Sequence, residues 1–220
     1  MKDFAVITAK NEAATIYGLV DALIKSGLNV IVVSDGSTDD TGFIASDAGA
    51  HVIWQYPSKG IGASLQAAWH VALDKGADRI IQLDAGGSHD PGEACFLLSY
   101  LDRCDIVIGS RFMVGSEYNG RKWRAFASRL AARLMNFAGH THFTDWTSGY
   151  RAFNRSSLFT LADHHYHQTM HAWQMEVLTY AIEKDFRVIE APITYTAGRS
   201  SLRLKTVSDA ILEWLWLANR

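Results

Sequence analysis

Two carboxylates stand directly behind apolar runs of the sequence, where strands of a sheet would end. Asp35 follows Val-Ile-Val-Val-Ser, and Asp84 follows Arg-Ile-Ile-Gln-Leu and precedes Gly86 and Gly87. Hard divalent cations such as Mg²⁺ and Mn²⁺ take oxygen ligands and bridge phosphates, and glycines let a ligand approach the backbone closely. Asp also caps helices and forms turns. Spacing alone therefore leaves open both a metal anchor at Asp84 and a capping role.

Positive charge is concentrated between residues 117 and 138. This segment holds one acid, Glu117, and five basic residues, Arg121, Lys122, Arg124, Arg129 and Arg133, although the formal net charge of the chain is -2. Such a local excess predicts an anionic partner for the segment.

The elements that must position these residues follow from the hydrophobic pattern. Short apolar runs alternate with helical periodicity, which is typical of α/β units around a mostly parallel sheet. We predict strands at 4–8, 30–33, 51–54, 79–83, 105–109 and 187–193, and helices at 15–26, 38–48, 62–75, 93–101, 122–138 and 173–183, with a last apolar helix at the C-terminus. Because such sheets bind ligands beyond the carboxyl ends of their strands, one pocket is expected to collect the polar clusters 10–12, 34–37 and 84–87.

Composition excludes several classes of protein. The chain has 220 residues, of which 48% are hydrophobic and 20% charged, and it has only two cysteines. We expect one globular domain over residues 1–220, in a reducing, cytoplasmic compartment and without a disulfide framework. No signal peptide or transmembrane segment is apparent. The net charge argues against a nucleic-acid partner.

A series of motifs along the chain resembles family 2 glycosyltransferases of the GT-A fold, above all the dolichol-phosphate mannose synthases and related polyprenyl-phosphate glycosyltransferases. The matching motifs occur in the family's order: TAKNE at 8–12, VVSDGSTDDT at 32–41, KGIGAS at 59–64, LDAGGSHDP at 83–91, GSRF at 109–112, TSGYRAF at 147–153, QMEV at 174–177, and APITY with GRSSL at 191–202. The resemblance implies an α/β GT-A fold with a mostly parallel central sheet flanked by helices.

The same resemblance implies roles for individual residues. The nucleotide-sugar pocket would be lined by Thr8, Asn11, Glu12, Asp35 and Lys59, with Asp35 on the base. Asp84 would meet the Mg²⁺ or Mn²⁺ ion and the diphosphate. The phosphates of acceptor or donor would be held by Arg111, Arg124, Ser128 and Arg199. Arginine suits that task because its planar guanidinium pairs with phosphate oxygens and keeps its charge. Without the motifs around it, each arginine would be assigned to a salt bridge at the protein surface.

The implied activity is the transfer of one hexose, mannose before glucose, from GDP-mannose or UDP-glucose to a polyprenyl or dolichyl phosphate at the cytoplasmic face of a membrane. An anionic phosphate acceptor needs no general base, so the site must supply alignment and charge neutralisation. One displacement would invert the anomeric configuration. Asp145 and Glu176 are candidates for orienting sugar hydroxyls or arginines, with structural ion pairing as the alternative. A soluble acceptor is a further alternative.

The sequence departs from the family at the metal motif. Gly86 and Ser88 stand where the family has the second Asp and the Gln, while Ser34, Thr8 and Lys10 replace other motif residues. Four explanations follow for the metal motif. Asp84 binds the ion through the donor's phosphates and waters, His89 or Asp90 helps, arginines replace the cation, or the chain is a non-catalytic nucleotide-sugar binding module.

Two segments suggest peripheral membrane contact. In the helix at 122–138, Trp123, Phe126, Ala127, Leu130 and Leu134 recur at helical spacing beside basic residues, a pattern of helices at anionic membrane surfaces. The alternative is a core-packed helix with a solvated basic face. The C-terminal segment 206–220 carries two tryptophans, which suit an interface or packing on the body. His167 and His171 have the spacing of zinc ligands, but no third ligand is apparent, so we predict a polar loop.

Overall fold

The computed structural model describes residues 1–167 and 172–197. The strands are β1 (Asp3–Ala9), β2 (Asn29–Asp35), β3 (His51–Gln55), β4 (Arg79–Asp84), β5 (Ile106–Ser110), β6 (Glu117–Asn119), β7 (Arg151–Asn154), β8 (Val188–Pro192) and β9 (Thr194–Thr196). The helices are α1 (Ile16–Lys25), α2 (Thr41–Asp47), α3 (Ile61–Asp74), α4 (Ala94–Ser99), α5 (Lys122–Gly139), α6 (Arg155–Ala162) and α7 (Trp173–Glu183).

A seven-stranded sheet forms the centre, in the order β3-β2-β1-β4-β7-β5-β8. Its neighbouring strands run parallel except at β7, which is antiparallel to both β4 and β5. A separate pair, β6 and β9, is parallel. The prediction of a mostly parallel α/β sheet is confirmed.

Helices cover both faces of the sheet because successive strand side chains point to opposite sides. Ala5 and Ile7 of β1 join one core cluster, to which α1, α2 and α4 also contribute. Phe4 and Val6 join the other, with α3, α6 and α7. Strands buried on both faces read as continuous apolar runs, as the run in β2 does. This packing fixes which strand ends meet at the carboxyl edge.

Some boundaries and elements differ from the prediction. The helix expected at 38–48 begins only at Thr41, because Asp39 accepts hydrogen bonds from Thr41 and from the backbone of Ala13. The helix expected at 93–101 is shorter and flanked by 3₁₀ turns. The sequence analysis did not predict β6, β7, α6 or β9. The expected C-terminal helix, Arg199 and His171 lie outside the described residues.

The basic helix is confirmed as α5, which packs through a different face from the one with the aromatic residues. Ala132 and Met135 are buried against Trp146 and Met175. Trp123, Phe126 and Leu130 are exposed. The aromatic residues of α5 therefore do not belong to the core.

Candidate active site

The carboxyl ends of β1, β2 and β4 bring the predicted polar clusters to one edge of the sheet. Thr8 of β1 is in register with Asp84 of β4, and Ala9 is in register with Ser34, one residue before Asp35. The ends of the three strands therefore lie side by side, as expected, while a single pocket that collects the three clusters stays a prediction.

Asn11 and Glu12 connect the loop after β1 to the start of α2. Asn11 has a φ of 56°, a left-handed conformation that Asn tolerates better than most residues. Its Oδ1 accepts from the backbone N–H of Thr38 at 2.8 Å. The N–H of Glu12 donates to Thr41 Oγ1 at 2.8 Å. Both residues thus lie in a loop at the carboxyl edge of the sheet that hydrogen bonds hold to the start of α2.

Asp35 is buried and holds the loop that carries Lys59. Its carboxylate accepts from Ser58 Oγ at 2.7 Å and from the backbone N–H groups of Lys59 and Gly60 at 2.7 and 3.0 Å. Gly36 lies close beside this loop, because a Cβ there would come within 2.9 Å of the Ser58 backbone nitrogen. The structure therefore places Asp35 and Lys59 together, with the lysine side chain exposed.

Asp84 ends β4 with its side chain 43% exposed. Gly149 packs so near that a Cβ there would lie 3.2 Å from Asp84 Oδ1. Below, buried Gln82 donates from Nε2 to Gln174 Oε1 at 3.1 Å, and Gln82 Oε1 is buried without a partner among the described residues. The Asp84 carboxylate is thus partly open to solvent and packed closely against Gly149.

His89 is buried behind Asp84 as a neutral imidazole. Burial lowers its pKa, and the pull of Asp84 in the other direction is smaller. Its Nδ1 accepts the backbone N–H of Asp84 at 3.3 Å, and its ring stacks on Tyr150 with centroids 4.8 Å apart. The 3.9 Å approach of Nδ1 to the Asp84 carboxylate is therefore not an ion pair.

Arg111 and Asp145 form a buried, bidentate ion pair. Arg111 Nε and Nη2 donate to the two Asp145 oxygens at 2.6 and 2.7 Å, and Nη2 also donates to Thr147 Oγ1 at 2.6 Å. Burial alone would raise the pKa of Asp145, but the guanidinium outweighs it and holds that pKa below its usual range. Burial would likewise lower the pKa of Arg111, and Asp145 raises it instead. Asp145 therefore pairs with an arginine, which fits both the orientation of that arginine and a structural ion pair.

Ser128 of α5 lies beside this pair, and Arg124 lies on the same face of the helix, one turn earlier. Ser128 Oγ is 3.5 Å from Thr147 Oγ1, which in turn accepts from Arg111. Arg124 Nε is buried and has no hydrogen-bond partner within the described ranges, while its guanidinium lies 5.4 Å from the ring centroid of Trp123. Arg111 and Ser128 are thus linked through Thr147, and Arg124 lies one helical turn before Ser128 on α5. We call Arg111, Arg124 and Ser128 the arginine wall.

Comparison with known protein families agrees with the resemblance that the sequence motifs show. The model of the family described as Glycosyl transferase family 2 matches residues 4–161. The chain belongs to glycosyltransferase family 2.

Two of the relatives of this family 2 glycosyltransferase are named as enzymes of mannose transfer. Polyprenol monophosphomannose synthase of Mycolicibacterium smegmatis is 30% identical over 201 residues, covering 85% of this chain and 76% of the relative. Undecaprenyl-phosphate mannosyltransferase of Micrococcus luteus is 29% identical over 228 residues, covering 96% and 92%.

Solved structures support the GT-A fold. Glucosyl-3-phosphoglycerate synthase from Mycobacterium tuberculosis, in complex with Mn²⁺, UDP and glucosyl-3-phosphoglycerate, superposes with a TM-score of 0.75. The match covers 99% of this chain and 80% of that chain at 19% sequence identity. This likeness establishes the fold.

The side chains around Asp84 fit a divalent ion held mainly by a donor's phosphates. No group of three His, Cys, Asp or Glu side chains that could hold a metal occurs in the described part of this glycosyltransferase. The Nδ1 of His89 already accepts the Asp84 N–H, and Asp90 Oδ1 accepts from Gly92 at 2.8 Å. Mg²⁺ binds readily through one carboxylate together with phosphates and waters. The single exposed carboxylate of Asp84 is compatible with that arrangement.

Sequence reasoning missed the residues that hold the arginine wall in place. Fully buried Arg151 donates to the carbonyls of Trp146, Ser148 and Gln174, and burial lowers its pKa to about 10. Glu190 accepts the N–H groups of Thr144 and Asp145. Arg151 stood inside TSGYRAF, so the motif marked it, but periodicity gave no sign that its partners would be carbonyls.

Proposed function

We propose that this glycosyltransferase transfers one hexose, mannose in preference to glucose, from a nucleotide-sugar to a polyprenyl or dolichyl phosphate. It would act as a peripheral protein at the cytoplasmic face of a membrane. The names of the two relatives support this acceptor class and sugar. GDP-mannose is the donor that follows from mannose transfer.

The single observation that carries the proposal is the buried Nε of Arg124, which has no hydrogen-bond partner among residues 1–167 and 172–197. A buried guanidinium nitrogen without a partner is costly. An oxygen of the acceptor phosphate would accept the hydrogen bond that Arg124 Nε–H can donate. Arg111 alone would not suffice, because Asp145 already balances its charge.

On the donor side, Thr8, Asn11, Glu12, Asp35 and Lys59 are proposed to line the nucleotide pocket. Asp35 is proposed to contact the base while it holds the 58–60 loop through the bonds described above. Lys59 offers an exposed ammonium to the nucleotide phosphates. Asp84 would hold a Mg²⁺ or Mn²⁺ ion, which neutralises the leaving diphosphate when bound.

The reaction requires one displacement. An oxygen of the acceptor phosphate forms a bond to the anomeric carbon, and the bond from that carbon to the nucleoside diphosphate breaks with inversion. The acceptor oxygen is already ionised, so no side chain must remove a proton. Arg111, Arg124, Ser128 and Arg199 are proposed to align acceptor and donor phosphates. Positive charge and alignment are then the main catalytic terms.

The test crosses two donors with two acceptors. GDP-mannose and UDP-glucose are each incubated with a long-chain polyprenyl phosphate or with 3-phosphoglycerate, with and without Mn²⁺, and products are identified by mass spectrometry. We expect a polyprenyl phosphomannose from GDP-mannose. A product only from 3-phosphoglycerate would overturn the lipid acceptor.

Donor identity is checked separately by thermal stabilisation. A ligand at 100 times its Kd adds about 2.7 kcal/mol to the native state, so we expect GDP and GDP-mannose to raise Tm and Mn²⁺ to increase that rise. A shift only with UDP and UDP-glucose would contradict the mannose donor. A shift that ignores Mn²⁺ would assign charge neutralisation to the arginines.

A non-catalytic nucleotide-sugar binding module is the second candidate, favoured by Gly86 and Ser88 in the metal motif. Gly86→Asp tests it. We expect the substitution to slow the enzyme or leave its rate unchanged, because the site works with one carboxylate. A wild type without turnover that gains Mn²⁺-dependent turnover through Gly86→Asp would instead establish the degenerate module.

A further inference from the structure

Helix α5 exposes a row of large apolar side chains to solvent. Phe137 is 82% exposed, Phe126 69%, Trp123 47% and Leu130 45%. Burying such side chains stabilises a complex, because apolar surface is removed from water. Contiguous exposed apolar patches of this kind mark interaction sites.

The exposed row adjoins a basic row on the same helix. At 3.6 residues per turn, the four apolar residues of the preceding paragraph fall within an arc of about 60°. Lys122, Arg129 and Arg133 are exposed and fall within the adjoining arc of about 60°. We call these seven residues the α5 face. A helix with aromatic and basic halves side by side lies in the plane of a bilayer interface.

The α5 face is basic, whereas the rest of the chain has an excess of acidic residues. No Asp or Glu occurs from Tyr118 to Thr144. Outside the five basic residues at 121–133, the chain carries 16 basic and 23 acidic side chains. A surface that is basic against an acidic background favours an anionic partner.

Another exposed aromatic pair shows that exposed aromatic side chains alone do not indicate a docking surface for an anionic partner. Phe43 on α2 is 64% exposed and packs on Trp54, with ring centroids 4.9 Å apart. The acids Asp39, Asp40 and Asp47 lie at or near the ends of α2. This pair therefore lacks the basic half that an anionic surface requires.

The opposite side of α5 faces the candidate site. Arg124 and Ser128 lie about half a turn away from Phe126 and Leu130 on the helix, and Ser128 Oγ approaches Thr147 beside Arg111. We propose that the α5 face docks the protein on an anionic lipid bilayer. Docking sets Arg124 and Ser128 at the depth where the phosphate of a membrane-embedded acceptor lies. The docking stands on the α5 face alone, whereas its link to the acceptor rests on the proposed function.

Vesicle flotation tests the docking. The full chain is mixed with phosphatidylcholine vesicles, or with vesicles in which roughly one-third of the lipid is anionic, because an anionic surface attracts the Lys and Arg side chains near it. We expect wild type to float with anionic vesicles and at least about tenfold less with neutral ones or in about 0.5 M NaCl. Phe126→Glu/Phe137→Glu and Arg129→Glu/Arg133→Glu should each abolish flotation at unchanged Tm.

Phe43→Glu is the matched control, since it places the same charge on a similarly exposed phenylalanine. It should float like wild type. Equal loss in Phe43→Glu and Phe126→Glu/Phe137→Glu would overturn the assignment to α5. Failure of the wild type to float with anionic vesicles would also overturn the docking. A lower Tm or an altered oligomeric mass in Phe126→Glu/Phe137→Glu would then indicate that protein, and not lipid, covers the α5 face.

Activity separates this inference from the proposed function. Phe126→Glu/Phe137→Glu should lose more than about tenfold in rate on a long-chain acceptor in anionic vesicles and keep the wild-type rate on a short, water-soluble prenyl phosphate. If no prenyl phosphate is used while flotation behaves as expected, the proposed function fails and docking stands. If prenyl phosphates are used but the variant matches wild type on vesicles, docking fails alone.

Discussion

Asp84→Asn is expected to lower kcat/KM by about 10²–10³-fold, as removal of one preorganised electrostatic group does in other enzymes. Asp84 is the carboxylate left open at the ends of β1 and β4, with its side chain 43% exposed. An amide keeps the size of the side chain and loses the charge that would hold a divalent ion. The loss should therefore fall mainly on kcat, and the dependence of the rate on Mn²⁺ concentration should weaken.

The measurement is initial rates over a range of donor and Mn²⁺ concentrations, with Tm as the test of folding. Asp90→Asn is the matched control, because it is the same change six residues further along the same loop. Asp90 Oδ1 accepts from the N–H of Gly92, and an asparagine oxygen keeps that bond. Asp90→Asn should stay within about threefold of wild type. A full rate in Asp84→Asn would move the charge neutralisation to the arginine wall.

The sequence predicted the parallel half of the fold well, because buried strands such as β2 read as unbroken apolar runs. It did not predict β7, since Arg151–Asn154 is short, begins with a buried charge and runs antiparallel to its neighbours. Local periodicity carries no information about such a pairing. The neighbouring positions of Thr8 and Asp84 at the carboxyl edge of the sheet were predictable too, because each residue stands where a predicted strand ends.

The arginine wall was predictable only as a set of residues. Motif resemblance pointed to Arg111 and Arg124, but their different situations depend on contacts distant in sequence. Arg111 is neutralised by Asp145, 34 residues away, whereas the Nε of Arg124 is buried without a partner in the described part of the chain. Pattern reasoning treats both arginines alike. Only the packed structure shows that the Arg111 guanidinium is paired with a carboxylate while the buried Nε of Arg124 is not.

Asp145→Asn is expected to destabilise the fold by about 3–5 kcal/mol, because removing one partner of a buried ion pair leaves the other charge uncompensated. Asp145 is fully buried and accepts two side-chain bonds from Arg111. Urea unfolding at neutral pH measures the loss. Asp21→Asn is the control, since Asp21 pairs with Lys25 on the exposed side of α1, where no measurable change is expected.

The pH dependence of that loss identifies its cause. Because the folded pKa of Asp145 is lowered, its stabilising contribution is complete above the unfolded value of about 3.9 and disappears as pH falls through the lower folded value. The difference in unfolding free energy between wild type and Asp145→Asn should be constant from about pH 7 to pH 5 and shrink below about pH 4. A difference independent of pH would mean that lost packing, and not charge, causes the effect.

A double substitution separates stability from catalysis at this pair. Arg111→Met/Asp145→Leu replaces both charges with apolar groups, a change that in other proteins is neutral or stabilising relative to the ion pair. It should recover only part of the stability that Asp145→Asn loses, because leucine cannot accept the backbone N–H groups of Arg111 and Thr147 that Asp145 accepts. It should still lack activity, because the wall would have lost the guanidinium held beside Ser128. Recovered activity would show that the pair only supports the fold and that Arg124 carries the acceptor phosphate without it.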